Sequence, residues 1–88
     1  MDREAAVAAA SKFLAATPIA DQCTIVVLPE ISVEHHKAWA VSFDSQEHID
    51  TQDLSLAPFM RVVIVPKDGS RPHFPPSYIP VREYVEQL

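Results

Sequence analysis

The side chains best suited to chemistry are concentrated between residues 34 and 53. This stretch holds His35, His36 and His48, together with five of the twelve acidic residues of the chain. Imidazole and carboxylate groups bind metals and transfer protons near neutral pH. The first question is therefore whether their spacing fits a metal site or an acid–base site.

The spacing of the histidines does not fit a metal site. His35 and His36 are adjacent, so on a strand they point to opposite faces, and the chain contains no His-x-x-x-His spacing. Its single cysteine, Cys23, excludes zinc sites built from paired cysteines. We therefore predict no metal and no cofactor, and interpret residues 35–37 as a polar turn between strands.

The candidates for catalysis are equally weak. Cys23 begins an apolar run, where thiols are usually inert, and no serine lies in a nucleophile-elbow motif. Glu47 and Asp50 would share one side of a helical turn, but an exposed loop does not separate their pKa values as acid–base catalysis requires. One glycine cannot build a phosphate-binding loop. We predict that the protein is not an enzyme.

The acidic residues themselves suggest a binding surface. No Lys or Arg occurs between Ala38 and Met60, whereas Asp44, Glu47, Asp50 and Asp53 all do, and the net charge of the chain is −5. This charge argues against nucleic acid as the main partner and favours a protein with a basic surface. The alternative is a solvated acidic loop with no partner.

Tyr78 is the other candidate contact residue. It follows Pro75-Pro76-Ser77 in an irregular stretch, and exposed tyrosines are frequent anchors in protein interfaces. Packing of this stretch onto the sheet is an equally good interpretation.

Length and composition predict one domain over residues 1–88. A single cysteine fits a reducing, cytoplasmic setting. The Ala-rich start carries acids and lacks the apolar core of a signal peptide, and no stretch is apolar enough to span a membrane.

Local patterns predict an order of helix, strands and helix. Asp2 can cap a helix that continues to Thr17, because Pro18 disfavours helical backbone at the residue before it. Strands are predicted at 22–28, resuming at 31–33 after Pro29, and at 38–44, 61–65 and 71–74. Residues 45–58 form a long excursion, Asp68-Gly69 a turn, and Pro80 the start of a closing helix.

Grouped strands between two helices indicate an α+β fold. We expect the N-terminal helix to pack on a three- or four-stranded antiparallel sheet, followed by a short C-terminal helix. In strand 38–44 the side chains of Trp39, Val41 and Phe43 share one face, which we expect to be buried.

Several stretches of the sequence together resemble a known family. They are Lys12-Phe13-Leu14, the Ile-Val-Val strand, the strand of Trp39 and Phe43, residues 47–53, Val63 to Ser70, and Pro80 to Val85. Their arrangement is similar to the immunity protein 35 family (YrhB domain) of bacterial polymorphic-toxin systems. The chain departs from the family at Ala57-Pro58-Phe59-Met60, where members commonly carry glycines before the Val-Ile-Val strand.

The resemblance implies a small protein that binds and neutralises a cognate toxin, and it brings no catalytic residues. Some family members have been associated with chaperone-like behaviour, so a holdase that binds unfolded chains is the alternative. The resemblance does not supply the contact residues. For these we select Asp44, Glu47, Asp50, Asp53 and Tyr78 from the charge and aromatic patterns above.

Overall fold

A helix, three antiparallel strands and a short closing helix build an α+β fold, as the grouping of the strands predicted. The computed structural model describes residues 1–58 and 60–88. Its elements are α1 (Arg3–Ala15), α2 (Ile19–Gln22), β1 (Ile25–Glu34), β2 (Ala38–Ser45), α3 (Gln46–Thr51), the 3-10 helix η1 (Leu54–Leu56), β3 (Val62–Pro66) and α4 (Val81–Glu86). The strands lie in the order β1-β2-β3, and both neighbouring pairs are antiparallel.

Helix α1 begins and packs as its sequence predicts. The Asp2 carboxylate accepts a hydrogen bond of 2.8 Å from the backbone N–H of Ala5, which caps the first turn. Its buried face is formed by Ala6, Ala10 and Leu14. Two of these are alanines, and small side chains let the helix axis approach the sheet closely. The helix therefore covers the sheet, as expected.

The main core lies between α1 and one face of the sheet. Trp39, Val41 and Phe43 of β2 are buried there with Val63 and Val65 of β3, which confirms the predicted inner face. On the opposite face, α4 packs its buried Val85 against a smaller cluster of Ala38, Ala40 and Ile64. The central strand β2 thus contributes large side chains to one core and small ones to the other.

Strand β1 runs past Pro29 by means of a bulge. Leu28 pairs with Ser42 and Val33 with Ala40, so the intervening residues of β1 are bulged out of the ladder. The buried Ser32 bridges the gap, because its hydroxyl donates to the Leu28 carbonyl (2.9 Å) and accepts from the Ser42 N–H (3.0 Å). The predicted interruption at Pro29 is thus a bulge within one continuous strand at the end of the sheet.

The structure corrects the predicted elements at four places, besides shifts of one or two residues at other ends. Residue 22 ends α2 and Cys23 follows that helix, so β1 begins only at residue 25. The excursion at 45–58 contains the regular helix α3 and η1. Residues 71–74 form a single bridge from His73 to Ile64 instead of a strand. Pro80 is the N-cap residue of α4, whose first residue is Val81. Phe59, in the stretch where the family commonly has glycines, lies outside the described residues.

The polar turn is where it was predicted. Residues 35–37 connect β1 to β2, and the His35 N–H donates to the Ala38 carbonyl at 2.9 Å.

Candidate functional site

The acidic segment, residues 44–53, leaves the end of β2 and folds into α3. Ser45 makes this change of direction possible. Its hydroxyl accepts from the His48 N–H (3.0 Å), which caps α3, and donates to the Leu56 carbonyl in η1 (2.7 Å). Ser45 is fully buried, so no water molecule is available to replace either hydrogen bond, and the loss of one would leave a buried polar group without a partner. One hydroxyl therefore holds α3 and η1 to the same strand end.

Asp44 and His48 form a largely buried pair inside this segment. Nδ1 of His48 lies 2.9 and 3.0 Å from the two Asp44 carboxylate oxygens, and only 11% and 14% of the two side chains are exposed. Burial raises the pKa of the Asp44 carboxyl. Hydrogen bonds from His48 and from the Ser45 N–H outweigh that effect and hold its pKa below the ordinary value. Because an ionised carboxylate only accepts hydrogen bonds, Nδ1 of His48 carries the hydrogen.

Glu47 connects α3 to the start of β1. One carboxylate oxygen accepts from the Thr24 N–H at 2.7 Å, which supplies a partner for a backbone donor at the strand end. A groove of about 200 Å³ lies beside Glu47 and also contains Cys23. Burial, followed by the nearby Glu47 and Asp44 charges, raises the pKa of the Cys23 thiol. The thiol is therefore kept protonated, which makes it a poor nucleophile.

The outer side of the segment combines exposed acids with exposed apolar side chains. Asp50 accepts from the Gln46 side chain (2.8 Å) on α3. Asp53 accepts from the Ser55 hydroxyl (2.7 Å) and N–H, and these bonds lower its pKa. Between and beside them, Ile49 and Leu56 are exposed, and Leu54 is 72% exposed. Both carboxylates remain solvent-accessible and face no basic partner in these bonds.

The predicted contact residues lie on two separate parts of the chain. Asp44, Glu47, Asp50 and Asp53 are all on the acidic segment, although the first two are engaged in bonds that shape it. Tyr78 lies on a turn between β3 and α4 and is 84% exposed. A groove of about 360 Å³ lies in the same region and is lined by Pro76, Ile79 and Pro80 among others.

The structural roles of Ser45 and His48 were not predicted from the sequence. The available signal was a serine followed by an acid in the next turn, which is typical of a helix start. The pairing of His48 with Asp44 had no comparable signal, since it depends on how tightly the chain turns after β2.

The part of the chain that the structure describes lacks two kinds of feature. Within residues 1–58 and 60–88, no group of three or more His, Cys, Asp or Glu side chains is placed to hold a metal ion. In the same residues, no helix is long and apolar enough to cross a membrane.

Fold and site together define a small α+β domain that presents an acidic, partly apolar surface segment. A family model described as Immunity protein 35 matches residues 4–86, and the chain belongs to that family. Membership confirms the resemblance noted in the sequence and points to an immunity function. No curated protein and no solved structure matches the chain.

Proposed function

We propose that this protein neutralises a cognate toxin by binding it directly through the acidic segment and η1. The observation that carries the proposal is that Asp50, Asp53 and Leu54 are all exposed within one short stretch, which offers both accessible carboxylates and a large apolar side chain. Protein interfaces commonly have an apolar centre with a polar rim. A toxin with a basic surface is the partner that matches this charge.

Preorganisation supports the same proposal. The segment is tied to β2 through Ser45, to β1 through Glu47 and to itself through Asp44 and His48. A surface that is already ordered loses less conformational entropy when it binds. Asp44 and Glu47 would then contribute mainly by fixing the shape of the segment, whereas Asp50 and Asp53 would attract the basic partner.

Tyr78 is a second proposed contact. Its ring stands out from a turn flanked by Pro76 and Pro80, which restrict the backbone. An exposed aromatic side chain on a stiff turn can enter a partner pocket at low entropic cost.

The test begins with affinity purification from the source cells using the tagged protein as bait. One stoichiometric partner with toxin activity supports the proposal. A broad mixture of weakly bound proteins would instead support the holdase alternative, which the exposed Leu54, Ile31 and Val33 favour.

A charge-reversal pair then tests the surface. Asp50→Lys should slow association with the purified toxin by about ten-fold at low salt, because steering depends on local charge. Glu86→Lys, an equal charge change at an exposed position on α4, serves as the control. Equal slowing by both variants would mean that only net charge matters, and no slowing by Asp50→Lys would overturn the acidic surface.

A further inference from the structure

The two edges of the sheet are finished differently. At the β3 edge, Ile64 exchanges two backbone hydrogen bonds with His73, of 2.7 and 3.0 Å, so the middle of this edge is paired. The β1 edge is the other end of the strand order β1-β2-β3. A free edge presents unpaired N–H and C=O groups that can accept another strand.

The ladder shows which β1 groups point outward. The Gln46 N–H donates to the Thr24 carbonyl at 2.8 Å, so residue 24 faces β2. Backbone direction alternates along an antiparallel strand, so Val26 also faces β2, whereas the N–H and C=O of Ile25 and Val27 face away. Beyond them, Pro29 and the bulge interrupt the edge. Within residues 1–58 and 60–88, the unpaired part of this edge is therefore short and covers residues 25–28.

This open part borders a groove. The groove has a volume of about 430 Å³ and is lined by Leu14 of α1, Ala20 of α2, and Ile25 and Val27 of β1. Its walls are a sheet edge on one side and helices on the other. An extended chain placed there could form backbone hydrogen bonds to β1 and bury apolar side chains against α1.

The charges near the groove select the occupant. Over the elements that form it, together with Glu47, which binds the Thr24 N–H, acids outnumber bases: Glu4, Asp21, Glu30, Glu34 and Glu47 stand against Arg3 and Lys12. A second copy of this acidic chain would bring like charges together, whereas a strand flanked by basic residues would not.

We propose that the free edge at Ile25–Leu28 is a docking site for an extended, basic-flanked strand of the toxin, added antiparallel or parallel to β1. The inference deepens the proposed function and rests on it for the identity of the partner. It adds a second contact, which is mediated by the backbone of β1 and not by the side chains of Asp50 and Asp53.

Hydrogen exchange in the free protein tests the open edge without any partner. The amides of Ile25 and Val27 should exchange much faster than those of Val26 and Val41, because only the latter lie inside the ladder. Equal protection of Val27 and Val26 would show that the edge is already covered and would overturn the proposal.

Binding is tested with a synthetic peptide of alternating valine and threonine that carries lysines at both ends. Its addition should protect the amides of Ile25 and Val27, whereas a matched peptide with glutamates at both ends should not. Protection by both peptides would remove the role of charge, and protection by neither would overturn the docking site.

The variant Val27→Pro removes an outward N–H without removing a ladder bond. It should weaken peptide binding by about ten-fold, as expected for the loss of one main-chain hydrogen bond. Val27→Ala is the control, because it loses the same packing but keeps the N–H and should bind nearly normally. If Val27→Pro does not fold, the exchange and peptide experiments still decide.

The purified toxin separates this inference from the proposed function. Loss of toxin binding in Val27→Pro but not in Val27→Ala supports both. Toxin binding that is sensitive to Asp50→Lys and insensitive to Val27→Pro would overturn the edge alone, and absence of any toxin partner would overturn the function.

Discussion

The inner face of β2 and the segment that follows it are stabilised by different interactions. Trp39, Val41 and Phe43 are held by apolar packing under α1. Immediately after them, Ser45 and His48 are held by hydrogen bonds that leave the outer surface of α3 and η1 acidic and accessible. One strand thus supplies both the core and the base of the proposed binding surface.

This difference separates stability from recognition. Apolar burial contributes in proportion to area and tolerates no charge, so the core could not display Asp50 or Asp53. The polar network adds less free energy of folding, but it fixes where those carboxylates lie. Substitutions in the two regions should therefore differ in size and in which measurement they change.

The largest effect is expected for Phe43→Ala. Phe43 is 1% exposed, and the centroid of its ring lies 6.3 Å from that of Phe74. Truncation of this side chain therefore leaves a cavity in the main core. The free energy of unfolding should fall by about 3–5 kcal/mol in urea denaturation. The matched control Leu54→Ala removes an exposed side chain and should change it by less than about 0.5 kcal/mol. Similar losses of unfolding free energy in both variants would contradict the view that the core, and not the exposed surface, stabilises the fold.

A smaller effect is expected for Ser45→Ala. The change removes the cap of α3 and leaves the Leu56 carbonyl without its partner hydroxyl, which should cost about 1–2 kcal/mol. Hydrogen exchange should accelerate in residues 46–56 more than in β2 and β3. Uniform acceleration through the sheet would show that the segment is not an independent unit.

The smallest effect at neutral pH is expected for Asp44→Asn, about 1 kcal/mol, since the change weakens one hydrogen-bonded pair. The folded pKa of Asp44 is lowered, so its contribution is present above the unfolded pKa and is lost as the pH falls through the folded value. The stability difference between wild type and variant should therefore disappear in acid. A stability difference that grows as the pH falls from neutral would contradict a lowered pKa of Asp44 in the folded state.

The sequence predicted the apolar elements well because their signals are local. Alternation identified the inner face of β2, and Asp2 marked the start of α1. The prediction of secondary structure from the sequence failed where several weak signals competed. Residues 19–22 form a short helix although the following run is β-branched, and α3 was hidden in a polar stretch that resembled a loop.

The acidic character of the candidate site could be read from the sequence, and its geometry could not. The charge pattern defined the acidic segment, and contact of Asp44, Glu47, Asp50 and Asp53 with a partner stays a prediction. Their different surroundings could not be read from spacing, because Asp44 is turned toward His48 while Asp50 remains at the surface. The three histidines that lie close together in the sequence occupy different places in the structure. His48 is buried, whereas His35 and His36 lie in the turn between β1 and β2.

By itself the sequence determined the α+β class, the helix that covers the sheet, the acidic character of residues 44–53 and the resemblance that family membership confirms. Each depends on residue type and short-range periodicity. Only the tertiary structure decided that Ser32 carries the ladder across a bulge, that Ser45 joins β2 to η1, and that no strand among the described residues pairs with the outer edge of β1. These depend on contacts between residues distant in the chain, which local patterns do not encode.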